Sequence, residues 1–293
     1  MTAALNWKHL DFSRPEEADW IRQHAGIPQS VAEAMLEDDT RPRVVQHESG
    51  ILVLLRGVNL NPGAEIEDMI AVRVWIEDDR VISTSRRPLR SIEIIANEAE
   101  SSSGLRVPGD FLVRLSDLLV EFIAETVDRI EDTLYEAENS DDSRSAIVKH
   151  SPFSRIRRQT TRIRRYLAPQ RDALDRLSKM TDSTFSTDHL NEFREQAHRL
   201  TLILENLDLV RERAMIAQEE LLAVIAHEQN TRMLLLSIVA VIFLPLSFVT
   251  GLMGMNVAGL PGMVYQGSFW ILAVIMLLIT AFILVALKRK DWI

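Results

Sequence analysis

The 293 residues contain no cysteine, which removes disulfides, thiolate zinc sites and cysteine nucleophiles together. Any metal must therefore meet oxygen, imidazole or thioether. Positive charge is also scarce: 33 Lys and Arg against 42 Asp and Glu give a formal charge of −9. This argues against a nucleic-acid partner, which requires a basic footprint that displaces counterions. An acidic chain suits cations instead. No segment matches Gly-x-x-x-x-Gly-Lys-Ser/Thr, so direct ATP drive is not expected. The first ten residues, MTAALNWKHL, lack the apolar core of a secretory signal, and the N-terminal part is expected to stay on the cytoplasmic side. Glycine and proline are absent between Pro169 and Pro245, a stretch permissive for an unusually long helix.

The apolar residues that are present are unevenly placed. Ser13-Arg14-Pro15-Glu16-Glu17 sets a capping residue before a first-turn proline and two carboxylates at the positive end of a helix near 15–25, closed by Gly26. Runs at 44–45, 51–55, 69–76 and 81–84 are β-branched or apolar and read as strands, separated by Gly50, Asn61-Pro62-Gly63 and Asp78-Asp79. Residues 1–109 are thus expected to form an α+β cytoplasmic domain, with a loop at 101–104. From Asp110 the period becomes helical through Phe111, Leu115, Leu118, Leu119, Phe122 and Ile123. Carboxylates then gather at Asp128, Glu131, Asp132, Glu136, Glu138, Asp141 and Asp142, answered by Arg155, Arg157, Arg158, Arg162, Arg164 and Arg165. Residues 110–186 read as a helical hairpin whose solvated charged faces pair in part. The sharper alternative is a divalent-cation sensor on the acidic face.

A break is expected at 180–187, and a stalk helix at 187–232. Phe193, Ala197, Leu200, Leu204, Leu207, Ala214, Leu221 and Ile225 recur at three- and four-residue steps, with Arg211 and Gln218 as polar exceptions. The pattern predicts a helix packed against copies of itself. If continuous to residue 253, it measures about 100 Å at 1.5 Å per residue.

Residues 233–253 and 269–287 carry no charge, and each is long enough to cross about 30 Å of hydrocarbon. Arg232 flanks the first span and Lys288-Arg289-Lys290 follows the second, which places both termini in the cytoplasm and leaves 254–268 as a short outside loop. The plain alternative is a membrane anchor for a cytoplasmic module. Against it stand Asn230, Met233, Leu236, Ala240, Leu244, Ser247, Gly251 and Gly254, which follow helical spacing down one side of the first span. Small and polar groups on such a face suit neighbouring helices or a water-filled path better than lipid. Pro245 removes one helical hydrogen bond and permits a bend. A single helix encloses no pore, so a path requires a symmetric ring of chains.

Gly254-Met255-Asn256, preceded by Leu244-Pro245-Leu246-Ser247-Phe248 and followed by the ending Lys288-Arg289-Lys290-Asp291-Trp292-Ile293, resembles the CorA family of divalent metal transporters. The resemblance implies a funnel-shaped homopentamer in a bacterial inner membrane, with the first span lining the pore. It implies that Asn256 meets the hydrated ion at the outer mouth, with Gly254 and Met255 shaping that ring. Asn230 becomes a polar ring near the inner mouth, and Met233, Leu236 and Leu244 become apolar constrictions. The loop Val257-Ala258-Gly259-Leu260-Pro261-Gly262 lacks the acidic residues of magnesium-type members and looks like the ZntB zinc-transporting branch. Ala258 stands where that branch carries glycine, and Met255 is the residue of the CorA signature. Zinc is favoured as cargo, with magnesium, accompanied by cobalt or nickel, next. No enzymatic role and no cofactor are implied. The seven histidines, His9, His24, His47, His150, His189, His198 and His227, show no His-x-x-x-His spacing and read as structural or surface groups; His227, beside Glu228, lies nearest the inner mouth.

Overall fold

A computed structural model describes residues 5–100, 105–139, 146–181, 184–255, 260, 262 and 266–289, in two compact units that divide at Leu221 and Leu222. The loop expected at 101–104, as well as Asp141, Asp142, Asn256, Val257, Ala258, Gly259, Pro261 and the last four residues, lies outside the described residues.

The first unit begins with β1 (Asn6–Asp11), α1 (Pro15–Gln23) and α2 (Gln29–Leu36). Four strands follow: β2 (Arg43–His47), β3 (Gly50–Gly57), β4 (Ile70–Glu77) and β5 (Arg80–Ser85). They form one sheet in the order β1-β5-β4-β3-β2, antiparallel except for the parallel β1–β5 pair. Both faces are covered, which is why β3 and β4 read as continuous apolar runs rather than alternating ones. On one face Ile51, Val53, Leu55, Val72, Val74 and Ile76 meet the later helices. On the other, Leu52, Leu54, Trp75 and Ile82 meet Ile21 of α1 and Val31 and Met35 of α2. The β4–β5 turn sets Asp78 at φ 47°, a left-handed conformation that a short polar side chain tolerates.

The start of α1 differs from expectation. Arg14 is the N-cap residue and no side chain caps the helix; Ser13 instead donates its N–H to Asp11 Oδ1 at 3.0 Å. That local turn keeps the Ser13 hydroxyl from the cap. Gly26 does stand beyond the helix, at φ 66°.

Helix α3 (Arg90–Glu100) leads to α4 (Pro108–Asn139), α5 (Ala146–Leu177) and α6 (Thr187–Met253). The expected hairpin charges are not paired with each other: among the described residues no ion pair joins the acidic side of α4 to the basic run of α5. Arg213 of α6 reaches Glu131 and Glu138 of α4, at 3.4 and 2.7 Å, and Arg164 of α5 reaches Asp208 of α6 at 2.8 Å. The reason is that α6 packs with both helices and brings its own charges within reach.

The stripe expected to pack on copies is likewise used within the chain. Phe193, Ala197, Leu200, Leu204, Leu207 and Ala214 are buried with Val210 in the main core, beside Leu115, Leu119 and Ile123 of α4 and Ile163 and Leu167 of α5. Phe193 is fully buried, and its truncation to alanine removes about 3–5 kcal/mol.

In the second unit α6 continues through Pro245 to Met253, and α7 spans Ser268–Arg289. Both helices are long and apolar enough to cross a membrane.

Candidate functional site

Seven of the singled-out residues lie on α6, and its 3.6-residue turn gathers them within roughly 120° of arc. Asn230, Met233, Leu236, Ala240, Leu244, Ser247 and Gly251 are all exposed in the single chain, Leu244 at 72%. The least exposed residues of the same segment, Ile238, Ile242, Pro245, Leu246 and Val249, fall on the opposite side of the helix.

No Asp, Glu, Lys or Arg occurs from Met233 to Met253. The last charges before this segment are Glu228 and Arg232, paired across one turn at 3.4 Å. Its hydroxyl side chains are those of Ser237, Ser247 and Thr250. Thr250 donates its hydroxyl to the carbonyl of Leu246 at 3.0 Å, so it costs little in an apolar setting. Pro245 offers no N–H to the carbonyl of Val241, which leaves one acceptor without its usual helical donor. The Asn230 amide has no partner among the described residues and remains available to an outside ligand.

The glycines give a sharper reading. A Cβ built at Gly251 meets no atom of its own chain within 4 Å. No contact within the described chain therefore requires glycine there. Gly254 follows the helix end, where its N–H donates to the carbonyl of Thr250 at 2.9 Å, and Met255 donates to Leu252 at 3.4 Å. Asn256, the residue given the ion-contacting role by resemblance, lies outside the described residues.

Among the described residues no three of His, Asp and Glu converge in a metal-holding group. The acidic side of α4 is engaged instead: Glu131 and Glu138 hold Arg213, and Asn206 donates to Glu131 at 3.1 Å. His189, at the start of α6, bonds Asp110 at 3.0 Å. Burial alone would raise the Asp110 carboxyl, but the N–H groups of Arg106 and Val107 together with the His189 ring hold it below the usual carboxylate value.

Residues 2–289 match the family described as CorA-like Mg2+ transporter protein. The chain belongs to this family. Divalent-cation transport is the activity of CorA-family proteins, and they are membrane proteins with two C-terminal spans rather than enzymes. Within the family the chain is 37% identical over 295 residues to the divalent cation transporter CmaX of Pseudomonas aeruginosa, covering 98% of this chain and 87% of that one. It is 32% identical over 287 residues to the zinc transport protein ZntB of Pectobacterium atrosepticum, covering 98% and 88%. The structure of full-length CmaX superposes with a TM-score of 0.80 at 35% identity, covering 98% and 88%. The fold of a CorA-family protein, an α/β soluble part followed by a long helix and a C-terminal helix, is thus the fold of this chain.

Two features escape a motif-level reading of the sequence. One is a second apolar stripe on α6: Leu202, Leu209 and Ile216 recur every seven residues, opposite the buried stripe, and are 53, 59 and 51% exposed. Its signal is the bare heptad spacing, masked by the stronger buried pattern beside it. The other is Arg56 and Arg73, each interrupting an otherwise apolar strand, Gly50–Gly57 and Ile70–Glu77.

Proposed function

We propose that this CorA-family chain carries zinc inward across a bacterial inner membrane as a homopentamer, with both termini cytoplasmic and Asn230 to Asn256 lining the path. The observation that carries this reading is the uncharged face of α6, exposed along its whole length and glycine-bearing where its own chain needs no glycine. Five such faces around an axis enclose a path that one helix cannot. The stripe of Leu202, Leu209 and Ile216 supports self-association, because a run of exposed apolar residues at heptad spacing loses its contact with water against a second copy.

Along the path, Met233, Leu236 and Leu244 form apolar rings that close by dewetting, and Asn230 and Asn256 form rings of amide oxygens at the two mouths. Gly254 and Met255 shape the outer ring. Amide oxygens hydrogen-bond the water shell of a divalent ion without stripping it, and without cysteine the path has no thiolate to trap dehydrated zinc. A negative interior supplies about 2.3 kcal/mol per charge per 100 mV, so a divalent ion gains roughly twice that on moving inward. Zinc is favoured over magnesium by the outside loop, which carries no carboxylate between Asn256 and Ser268, and by the named activity of the ZntB relative.

The test is flux into liposomes holding the purified full-length protein, followed with an internal zinc indicator, with magnesium run in parallel and Asn256→Ala as control. Zinc influx that falls at least tenfold in the variant is expected. Magnesium flux without zinc flux transfers the protein to the magnesium, cobalt and nickel class. No flux of either ion returns the hairpin to a plain anchor.

A further inference from the structure

Arg56 and Arg73 sit on one face of the sheet, the face that carries Leu52, Leu54 and Trp75. The register pairs Arg56 with Ala71 and Arg73 with Leu54, so the two arginines are diagonal neighbours on adjacent strands. Both are buried, and both line a cavity of about 240 Å3. Arg86 and Arg87, just after β5, stand at its exposed rim, and Tyr166 of α5 contributes its ring. Four guanidinium groups therefore line one small cavity.

Three of the four have a carboxylate. Arg56 meets Asp39 at 3.1 Å, Arg86 meets Asp38, and Arg87 meets Asp68. Arg56 also donates to the carbonyls of Thr40 and Met69 and lies 4.1 Å over the Tyr166 ring, so four of its five N–H groups are engaged among the described residues. Arg73 differs. It is 1% exposed, and among the described residues no carboxylate lies within ion-pair reach of it. Its terminal nitrogens donate to carbonyls of Ala71, Glu37 and Asp38, while its Nε is buried without a hydrogen-bond partner among the described residues. Burial, with the Arg56 charge beside it, draws Arg73 down to about 10, against the opposing pull of Asp38 and Glu37. The carbonyl contacts explain how the connection between α2 and β2 is held. They, and the Phe12 ring 4.8 Å from the guanidinium, supply no counter-charge, and Arg73 is the one arginine lining this cavity without a carboxylate partner among the described residues.

We propose that this cavity is a binding site for an oxyanion of the phosphate class, seated on Arg73 and Arg56 and closed at the rim by Arg86 and Arg87. A phosphate presents acceptors on several sides and matches the guanidinium fork in bidentate fashion. At roughly 30 Å3 per water, the volume corresponds to several waters, enough for inorganic phosphate or the terminal phosphate of a nucleotide but below the usual size of a site for a whole nucleotide. The site belongs to the soluble unit and does not depend on the proposed ion path.

Calorimetric titration of the purified, metal-free full-length protein with inorganic phosphate, pyrophosphate and AMP tests this, with sodium chloride at matched ionic strength as reference. Saturable binding of one phosphate-class anion per chain is expected, with none for chloride. Arg73→Lys, which keeps the charge but loses the fork, and the rim variant Arg87→Gln are each expected to weaken it at least tenfold. Arg158→Gln, in the separate basic groove between α5 and α6, is expected to leave it unchanged. If Arg73→Lys does not fold, Arg87→Gln and Arg86→Gln decide the matter from the exposed rim. AMP binding more tightly than phosphate assigns the site to a nucleotide's phosphate, and equal affinities assign it to the free anion. Chloride acting like phosphate, or affinity unchanged in the Arg73 and rim variants, overturns the proposal.

Discussion

His9 is held by a directed chain of hydrogen bonds. Trp7 Nε1 donates to Ser83 Oγ at 2.9 Å, which leaves the Ser83 hydroxyl proton for His9 Nδ1, also at 2.9 Å. His9 Nε2 faces Ser85 Oγ at 3.3 Å, and that hydroxyl donates to the carbonyl of Arg87. Neutral imidazole with its proton on Nε2 satisfies both contacts. Burial accordingly lowers His9 from 6.5 to about 4, against Asp11 and Glu17, which pull the other way. Since the unfolded chain binds the proton first, the stability contributed is complete above pH 6.5 and is lost as pH falls toward 4. Thermal unfolding across that window should show a loss of at most about 3 kcal/mol, absent in His9→Gln. A second residue-scale test lies at Gly109, where an added Cβ would overlap the His189 ring. Gly109→Ala is expected to cost about 1–3 kcal/mol, and less in a His189→Ala background, which denaturation of the four proteins of the cycle measures.

At the scale of elements, β3 outruns its neighbour. The β2 pairing ends at Arg43 with Leu54, so the outward N–H of Arg56 has no strand partner and is taken by Gln170 Oε1 of α5 at 2.7 Å. Gln170→Leu leaves that buried donor unsatisfied and is expected to cost about 1–3 kcal/mol, read from the midpoint of unfolding. Such a contact, 114 residues apart in the chain, is invisible to local pattern. What local pattern does reveal is the type of each strongly periodic segment: β2 to β5, the long helices and both apolar spans were legible because burial writes its period into the sequence. β1 and α2 were not. Asn6–Asp11 is a short edge strand of mixed polarity, whose partner β5 follows some seventy residues later, and Gln29–Leu36 has only eight residues and no capping side chain. The buried stripe on α6 was legible as a stripe but not in its partner, because a heptad pattern reads the same against α4 and α5 as against another copy. The exposed face from Asn230 to Gly251 was legible as a face for the same reason, whereas the juxtaposition of Arg56 and Arg73 depends on a strand register that no single-strand pattern contains.

For the whole molecule, two expectations concern assembly and transport. Native mass measurement of the detergent-solubilised protein is expected to give five chains per particle. Leu209→Glu, which sets a charge in the middle of the exposed heptad stripe, is expected to shift that population toward smaller species. A five-chain particle that withstands this change would remove the stripe from the interface and leave the spans to hold the assembly. If the proposed path is lined as above, Leu244→Asn, which replaces the most exposed apolar residue of that face with an amide, is expected to raise basal ion flux in liposomes by abolishing one dewetted ring.

The double covering of the sheet also bears on how the chain is made. One face is closed early, since α1 and α2 leave the ribosome before the strands they cover. The other waits for α4, α5 and finally α6, whose last buried residue is Ala214. Only eighteen residues separate Ala214 from the first uncharged segment at Met233. The core of the first unit is thus sealed at about the moment the nascent chain presents its first span for insertion, so folding of that unit and delivery to the membrane are consecutive steps of one short interval of synthesis.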